Sequence, residues 1–225
     1  MLLMKKRIIV ADSRQPAKTQ ALPTLPGPLE GAAFVIGVAN AAQLPAEGAP
    51  EIAFAGRSNA GKSSAINALA RNAGLAHASR TPGRTRQINF FRLRSGALVA
   101  DLPGYGYAAV PHEIKRAWQD LLWSYVTSRS ALIGLVLIVD ARHGVKALDI
   151  DVLTAFLPSA RPVLILATKS DKLNLAERRR AVADIRAALV STFGERAHAV
   201  SVIGFSATSR GGVDEANRAI EAWLA

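Results

Sequence analysis

Apolar positions along the chain fall into two alternating patterns. Short aliphatic runs at 32–38, 51–55, 132–139, 162–167 and 199–205 have the length and near-continuous apolarity of strands buried on both faces. Ile88–Leu93 and Ala97–Ala100 flank Ser95-Gly96 and predict a pair of strands joined by a tight turn. Between these runs the apolar residues recur at helical spacing. Helices are predicted over 64–70, over 112–129 with Ile114, Ala117, Trp118, Leu121, Leu122 and Tyr125 on one face, and over 147–157. Two more are predicted over 176–193, with core positions Val182, Ile185, Leu189 and Phe193, and around Val213, Ala216, Ile220 and Trp223. Residues 39–50 and the polar stretch 72–87 read as loops, and the glycine- and tyrosine-rich stretch 102–111 as a mobile one. Strands alternating with helices predict an α/β fold, an open and mostly parallel sheet with helices on both faces. In such folds ligands bind at the carboxyl ends of the strands.

The chain has 225 residues, half of them hydrophobic, and a mean hydropathy of +0.18, so one domain with an extension is expected. The longest apolar run, 131–139, is too short to span a bilayer, and no membrane insertion is expected. Without cysteine there are no disulfides, thiolate metal sites or cysteine nucleophile, which suits a cytoplasmic setting. Residues 1–28 carry Lys5, Lys6, Arg7, Arg14 and Lys18 against Asp12, with prolines at Pro23, Pro26 and Pro28, and read as a basic, disordered tail ahead of a domain spanning 29–225. Ile8-Ile9-Val10 is too short for the core of a signal peptide. The tail accounts for +4 of the net charge of +11, leaving +7 on the body. That balance points to a polyanionic partner, RNA rather than DNA.

The chemistry lies at predicted strand ends. Gly56-Arg57-Ser58-Asn59-Ala60-Gly61-Lys62-Ser63 fits the P-loop pattern G-x-x-x-x-G-K-[ST] between a strand and a helix. The helix N-terminus offers unpaired N–H groups and partial positive charge to phosphates; Lys62 is suited to the β- and γ-phosphates and the Ser63 hydroxyl to Mg²⁺. Asp101-Leu102-Pro103-Gly104 ends another strand, where Asp101 could hold Mg²⁺ through water and the Gly104 N–H could meet a γ-phosphate. Thr168-Lys169-Ser170-Asp171 fits [NT]-K-x-D: Asp171 can accept from guanine N1–H and its exocyclic amine, a pair adenine lacks. The Lys169 stem can cover the base. Phe205-Ser206-Ala207 ends the next strand, where the Ala207 N–H could meet guanine O6. Thr81 and Thr85 both lie where a switch loop would bring a hydroxyl to Mg²⁺.

The set Gly-Arg-Ser-Asn-x-Gly-Lys-Ser-Ser, Thr-Pro-Gly-Arg-Thr, Asp-Leu-Pro-Gly-Tyr-Gly-Tyr and Thr-Lys-Ser-Asp resembles the EngB (YihA/YsxC) family of the TrmE–Era–EngA–EngB GTPase superfamily, over about residues 30–225. The resemblance implies a Ras-like G domain that hydrolyses GTP to GDP and phosphate with Mg²⁺. Thr85 becomes the second Mg²⁺ ligand, with Gly83, Arg84, Thr85, Arg86 and Gln87 as the switch segment. Lys62, Thr85 and Gly104 become the groups that stabilise the transferred phosphoryl. It also implies a role in assembling the large ribosomal subunit, with rRNA and ribosomal protein as partners, and in septation during cell division.

Where Ras-like enzymes carry a water-orienting glutamine after Asp-x-x-Gly, this chain has Tyr105, so slow intrinsic hydrolysis and activation by a partner are expected. Asn59 is either a turn former or a K⁺ ligand, as in potassium-activated relatives. Arg80, Arg84, Arg86, Arg92 and Arg94 could grip RNA phosphates or simply face solvent. Arg178-Arg179-Arg180 reads as a solvated helix face, His112 as a surface histidine beside the second switch, and His77, His143 and His198 lack ligand spacing. Trp118, Trp123 and Trp223 fit helical core faces. Two rivals remain: a small-molecule phosphotransferase or ATPase, which Asp171 opposes, and a non-catalytic RNA- or ribosome-binding module using GTP as a structural or timing ligand.

Overall fold

The computed structural model describes residues 26–76, 87–106 and 112–225, without the side chains of 112–119. Among the described residues seven strands form one sheet: β1 (Ala33–Val38), β2 (Glu51–Gly56), β3 (Ile88–Arg92), β4 (Leu98–Asp101), β5 (Leu132–Asp140), β6 (Val163–Thr168) and β7 (Val200–Gly204). Their spatial order is β1-β3-β4-β2-β5-β6-β7. β3 pairs antiparallel with β1 and β4, while β4, β2, β5, β6 and β7 are parallel to one another. Among the described residues five α-helices pack on it: α1 (Lys62–Leu69), α2 (His112–Ser128), α3 (Ala147–Phe156), α4 (Leu175–Phe193) and α5 (Val213–Leu224).

Side-chain alternation along the strands divides the core in two. Ile52, Phe54, Val136, Ile138, Leu164 and Leu166 face α1 and α5, where Ile66, Leu69, Val213 and Ile220 meet them. Ala53, Ala55, Leu135, Leu137, Val163 and Ile165 face α2, α3 and α4, where Leu122, Tyr125, Leu153, Phe156, Ile185 and Leu189 close the other layer. Trp123 and Trp223 pack against these layers, as their helical spacing predicts. Trp118 lies outside the described side chains.

The predicted elements all form, with ends that differ by a residue or two. The strand pair around Ser95-Gly96 closes through Gly96 N–H to Leu93 O (3.0 Å) and Leu93 N–H to Ala97 O (2.8 Å). Residues 26–28, which composition places in the tail, lead into a turn instead: Gly27 N–H meets Glu30 Oε1 (3.0 Å), and the next residue, Leu29, is fully buried. The burial gained by Leu29 orders this boundary. Residues 1–25 lie outside the described residues.

The chain leaves β2 to build β3 and β4 on one side and returns to place β5 on the other. The carboxyl end of β2 is thus a topological switch point, the place where open α/β sheets form a ligand crevice.

Candidate functional site

The loop between β2 and α1 begins where Gly56 pairs with Ile138 of β5. A Cβ on Gly56 would sit 2.8 Å from the Ile138 carbonyl oxygen, so only glycine permits this approach. Asn59 (φ 63°) and Gly61 (φ 102°) both take left-handed backbone, which curls the loop over the N-terminus of α1. Successive N–H groups in such a turn form a concavity suited to anions. At the start of the helix Lys62 donates to Asp101 Oδ1, the last residue of β4, with both side chains mostly buried. The P-loop lysine and the Asp-x-x-Gly aspartate, far apart in the chain, therefore share one site.

Residues 102–106 differ from the mobile loop expected of them. Leu102 is fully buried and Tyr105 is 4 % exposed. Tyr105 N–H meets Gly56 O (3.3 Å), Ser58 N–H meets Tyr105 O (2.8 Å), and Leu102 N–H meets Phe54 O (2.9 Å). The Tyr105 hydroxyl donates to Asp149 Oδ1 of α3 (2.7 Å), and Asp149 Oδ2 accepts the Lys146 N–H (2.9 Å). Burial, followed by the Asp149 charge, raises the Tyr105 phenol well above its usual range; burial likewise raises Asp149. Buried hydrogen bonds and apolar packing outweigh the turn composition of this stretch. Pro103 is buried and Gly104 half-buried, with Gly104 packed against the Ser58 backbone. Residues 107–111 lie outside the described residues.

The Thr168–Asp171 loop closes from the other side. Lys169, also left-handed (φ 59°), reaches back to the P-loop: its Nζ donates to Asn59 O (2.7 Å) and pairs with Asp140 Oδ2 (2.9 Å). The buried Thr168 hydroxyl lies between two carbonyls, Ala60 of the P-loop and Val139 of β5 (3.1 Å to the latter), and so ties the loops together. Ser170 N–H meets Phe205 O (3.1 Å), and Ser206 Oγ donates to Asp171 Oδ1 (2.7 Å). That hydroxyl is the main reason the Asp171 carboxyl lies below the usual carboxylate range. The bond also fixes the carboxylate, leaving Oδ2 beside Lys172 Nζ at 3.7 Å. Phe205 is buried and Ala207 half-buried beside them.

Asp140, at the end of β5, is a site residue that the motif search missed. Its carboxylate accepts Arg142 Nε (2.9 Å), Arg142 Nη2 (2.7 Å) and the Arg142 N–H (3.1 Å), besides pairing with Lys169. Burial opposes its charge, but Arg142 and Lys169 outweigh that and hold the carboxyl far below its usual range. The available signal was its position, since the strand ends at the same sheet edge as the recognised loops. A cavity of about 220 Å³ opens here, lined by Arg57, Asn59, Asp140, Arg142 and Lys169 among others.

Gln87 is exposed at the start of β3, its side-chain amide lying over Gly37 of β1. Gly83, Arg84, Thr85 and Arg86, together with Thr81, Arg80 and His77, lie outside the described residues, as does the His112 side chain. Arg92, Arg94, Arg178, Arg179, Arg180, His143 and His198 are exposed. Among the described residues no three His, Cys, Asp or Glu side chains cluster as a metal site, and no helix is long and apolar enough to cross a membrane.

A loop with the P-loop pattern, the aspartate of Asp-x-x-Gly and the carboxylate of Thr-Lys-x-Asp meet at one sheet edge, the arrangement of a P-loop GTPase. Residues 51–169 match the family described as 50S ribosome-binding GTPase. The chain is 50% identical to the "Probable GTP-binding protein EngB" of Azoarcus sp. (strain BH72) over 193 residues, 86% of this chain and 91% of that protein. It belongs to the EngB family, binds GTP and is a GTPase. Its fold is similar to the crystal structure of a probable GTP-binding protein engB (TM-score 0.61, 21% identity, covering 77% of this chain and 98% of that one). It also resembles Era solved with MgGDPNP and nucleotides 1506–1542 of 16S ribosomal RNA (TM-score 0.58, 18% identity, 79% and 57%).

Proposed function

We propose that this GTPase is a switch in assembly of the large ribosomal subunit, acting in the cytoplasm and needed for normal septation. The observation that carries the nucleotide part is the meeting of Lys62 with Asp101, and of Lys169 with Asn59, across one crevice. In this reading the loop amides of 56–63 and Lys62 hold the phosphates, Lys62 exchanging its bond to Asp101 for phosphate oxygens. Asp171 and the Ala207 N–H read guanine, while the Lys169 stem covers it.

The oxygens of Ser63 and, through water, Asp101 are hard donors at the mouth of the phosphate loop, which suits Mg²⁺, and Thr85 would complete the set. Bound there, Mg²⁺ would neutralise charge on the β- and γ-phosphate oxygens. Catalysis is then positioning and charge stabilisation without a covalent intermediate, with Lys62, Thr85 and the Gly104 N–H directed at the γ-phosphoryl. Tyr105 is turned away from that position by its bond to Asp149, so it does not orient water; hydrolysis is slow alone and accelerated by a partner. The left-handed Asn59 backbone supports the turn-former role, and its side chain would also serve as a K⁺ ligand. Faster turnover in KCl than in NaCl at equal ionic strength is the expected result for K⁺, and equal rates would remove it.

The ribosomal part is supported by the family and by the chain's net charge of +11, which favours rRNA as a partner. Co-sedimentation with large-subunit particles tests it: the protein should pellet with a non-hydrolysable GTP analogue and be released with GDP. Equal pelleting in both states would favour the non-catalytic module instead.

A further inference from the structure

Asp140 belongs to none of the recognised nucleotide loops, yet the base-covering lysine depends on it. Lys169 Nζ has three donors on a long, flexible stem. One goes to the Asn59 carbonyl at 2.7 Å and another to Asp140 Oδ2 at 2.9 Å. These contacts come from different elements, the P-loop and the end of β5, and together they stretch the stem across the gap between them. The Asn59 carbonyl is a neutral acceptor, whereas Asp140 provides the charged one, and charge-assisted bonds are the stronger kind.

The carboxylate is itself held. Arg142 grips it with Nε and Nη2, and the Arg142 N–H adds a third bond. Asp140 pairs with Thr168 in the sheet, and Ala141 N–H donates to Thr168 O (2.9 Å), so β5 and β6 keep Asp140 in register with Lys169. Asp140 is 9 % exposed, and its carboxylate pairs with both of these cations.

We propose that Asp140 is a positioning residue for nucleotide binding: it pre-organises Lys169, with Arg142 as the anchor, so that the lysine stem already lies where guanine is to be covered. A stem ordered in advance loses less rotamer freedom when the base arrives, and the gain appears as affinity. The inference rests on the guanine-site reading of Lys169 and Asp171.

The test is a double-mutant cycle on GDP affinity, measured by calorimetry on the full chain, with Asp140→Asn, Lys169→Met and the pair. Lys169→Met keeps the apolar stem and removes the ammonium. The expected result is that Asp140→Asn weakens GDP by about 5- to 10-fold, mainly through faster release, and adds less than about twofold in the Lys169→Met background. Thermal unfolding without nucleotide gives a separate reading: a merely structural role would lower stability equally in both backgrounds and leave the GDP losses additive. Additive losses, or unchanged GDP affinity in Asp140→Asn, overturn the inference while leaving the guanine site standing. Unchanged affinity in Lys169→Met together with Asp171→Asn overturns the guanine site itself, and this inference with it. Should Asp140→Asn unfold because Arg142 loses its partner, Asp140→Asn with Arg142→Gln removes the stranded cation and carries the same cycle.

Discussion

Asp171 is the carboxylate proposed to read guanine. Its Oδ1 is occupied by the Ser206 hydroxyl, which fixes the group and favours its charged form. Asp171→Asn presents an amide N–H to guanine donors, so GTP affinity should fall on the order of 10²-fold, and xanthosine triphosphate should become the preferred ligand in competition binding. Unchanged GTP affinity would remove the guanine assignment. Tyr105 gives the opposite lesson. Its phenol is committed to Asp149, so Tyr105→Phe leaves a buried carboxylate oxygen unpaired and should cost about 1–2 kcal/mol in denaturant unfolding. Single-turnover GTP hydrolysis should be little changed, because the hydroxyl faces α3 and not the phosphate site. A collapse of the chemical step with stability intact would show that the tyrosine takes part in hydrolysis.

At the scale of elements, the strand β2 is secured at both ends by different chemistry. At its carboxyl end the P-loop departs. At its foot the fully buried Glu51 accepts Arg129 Nε at 3.0 Å, Arg129 Nη2 at 2.5 Å and the Tyr125 hydroxyl at 2.7 Å. Burial and the Glu51 charge push the Tyr125 phenol well above its usual range, so it remains a donor at neutral pH. This cluster joins α2 to the sheet and holds β2 from the end opposite the P-loop. Arg129→Met strands the Glu51 charge in the core and should destabilise by about 3 kcal/mol or more, seen as a lower denaturation midpoint. Replacing both, Glu51→Gln with Arg129→Met, should recover part of that loss. No recovery would mean that the arginine acts through packing alone. The hydrophobic pattern placed Glu51 at the start of a strand and Arg129 at the end of a helix. Their distance in the chain hid the pair, since only strand order and helix packing bring the two ends together.

For the molecule as a whole, acid sensitivity follows from the network that spans β5 and β6. The folded-state pKa of Asp140 lies below its unfolded value of about 3.9, so its contribution is full above about pH 5 and is lost as pH falls through the folded value. Asp149 works in the other direction, since burial raises it and favours its neutral form in the fold. Wild type should therefore be more stable than Asp140→Asn at pH 7, with the gap narrowing below about pH 4 in urea titrations. A gap that held constant to pH 3 would show that the Asp140 charge contributes nothing.

Much of this protein was legible from its residues alone. Apolar runs and helical spacing are local properties, so the strands, the helices and their alternation followed directly. The P-loop, Asp-x-x-Gly and Thr-Lys-x-Asp patterns were legible too, as residue types at fixed offsets, and the structure brings the three stretches to one sheet edge. What the tertiary structure decided were relations between distant positions: Tyr105 packed onto Asp149, Glu51 paired with Arg129, Asp140 holding Lys169. Composition marked 102–111 as a mobile loop, and hydrogen bonds to β2 and α3 with burial tie down Leu102 and Tyr105. Local sequence encodes which elements form and which groups a ligand needs. Pairing among buried charges is set only when the sheet order brings those elements together and water is removed.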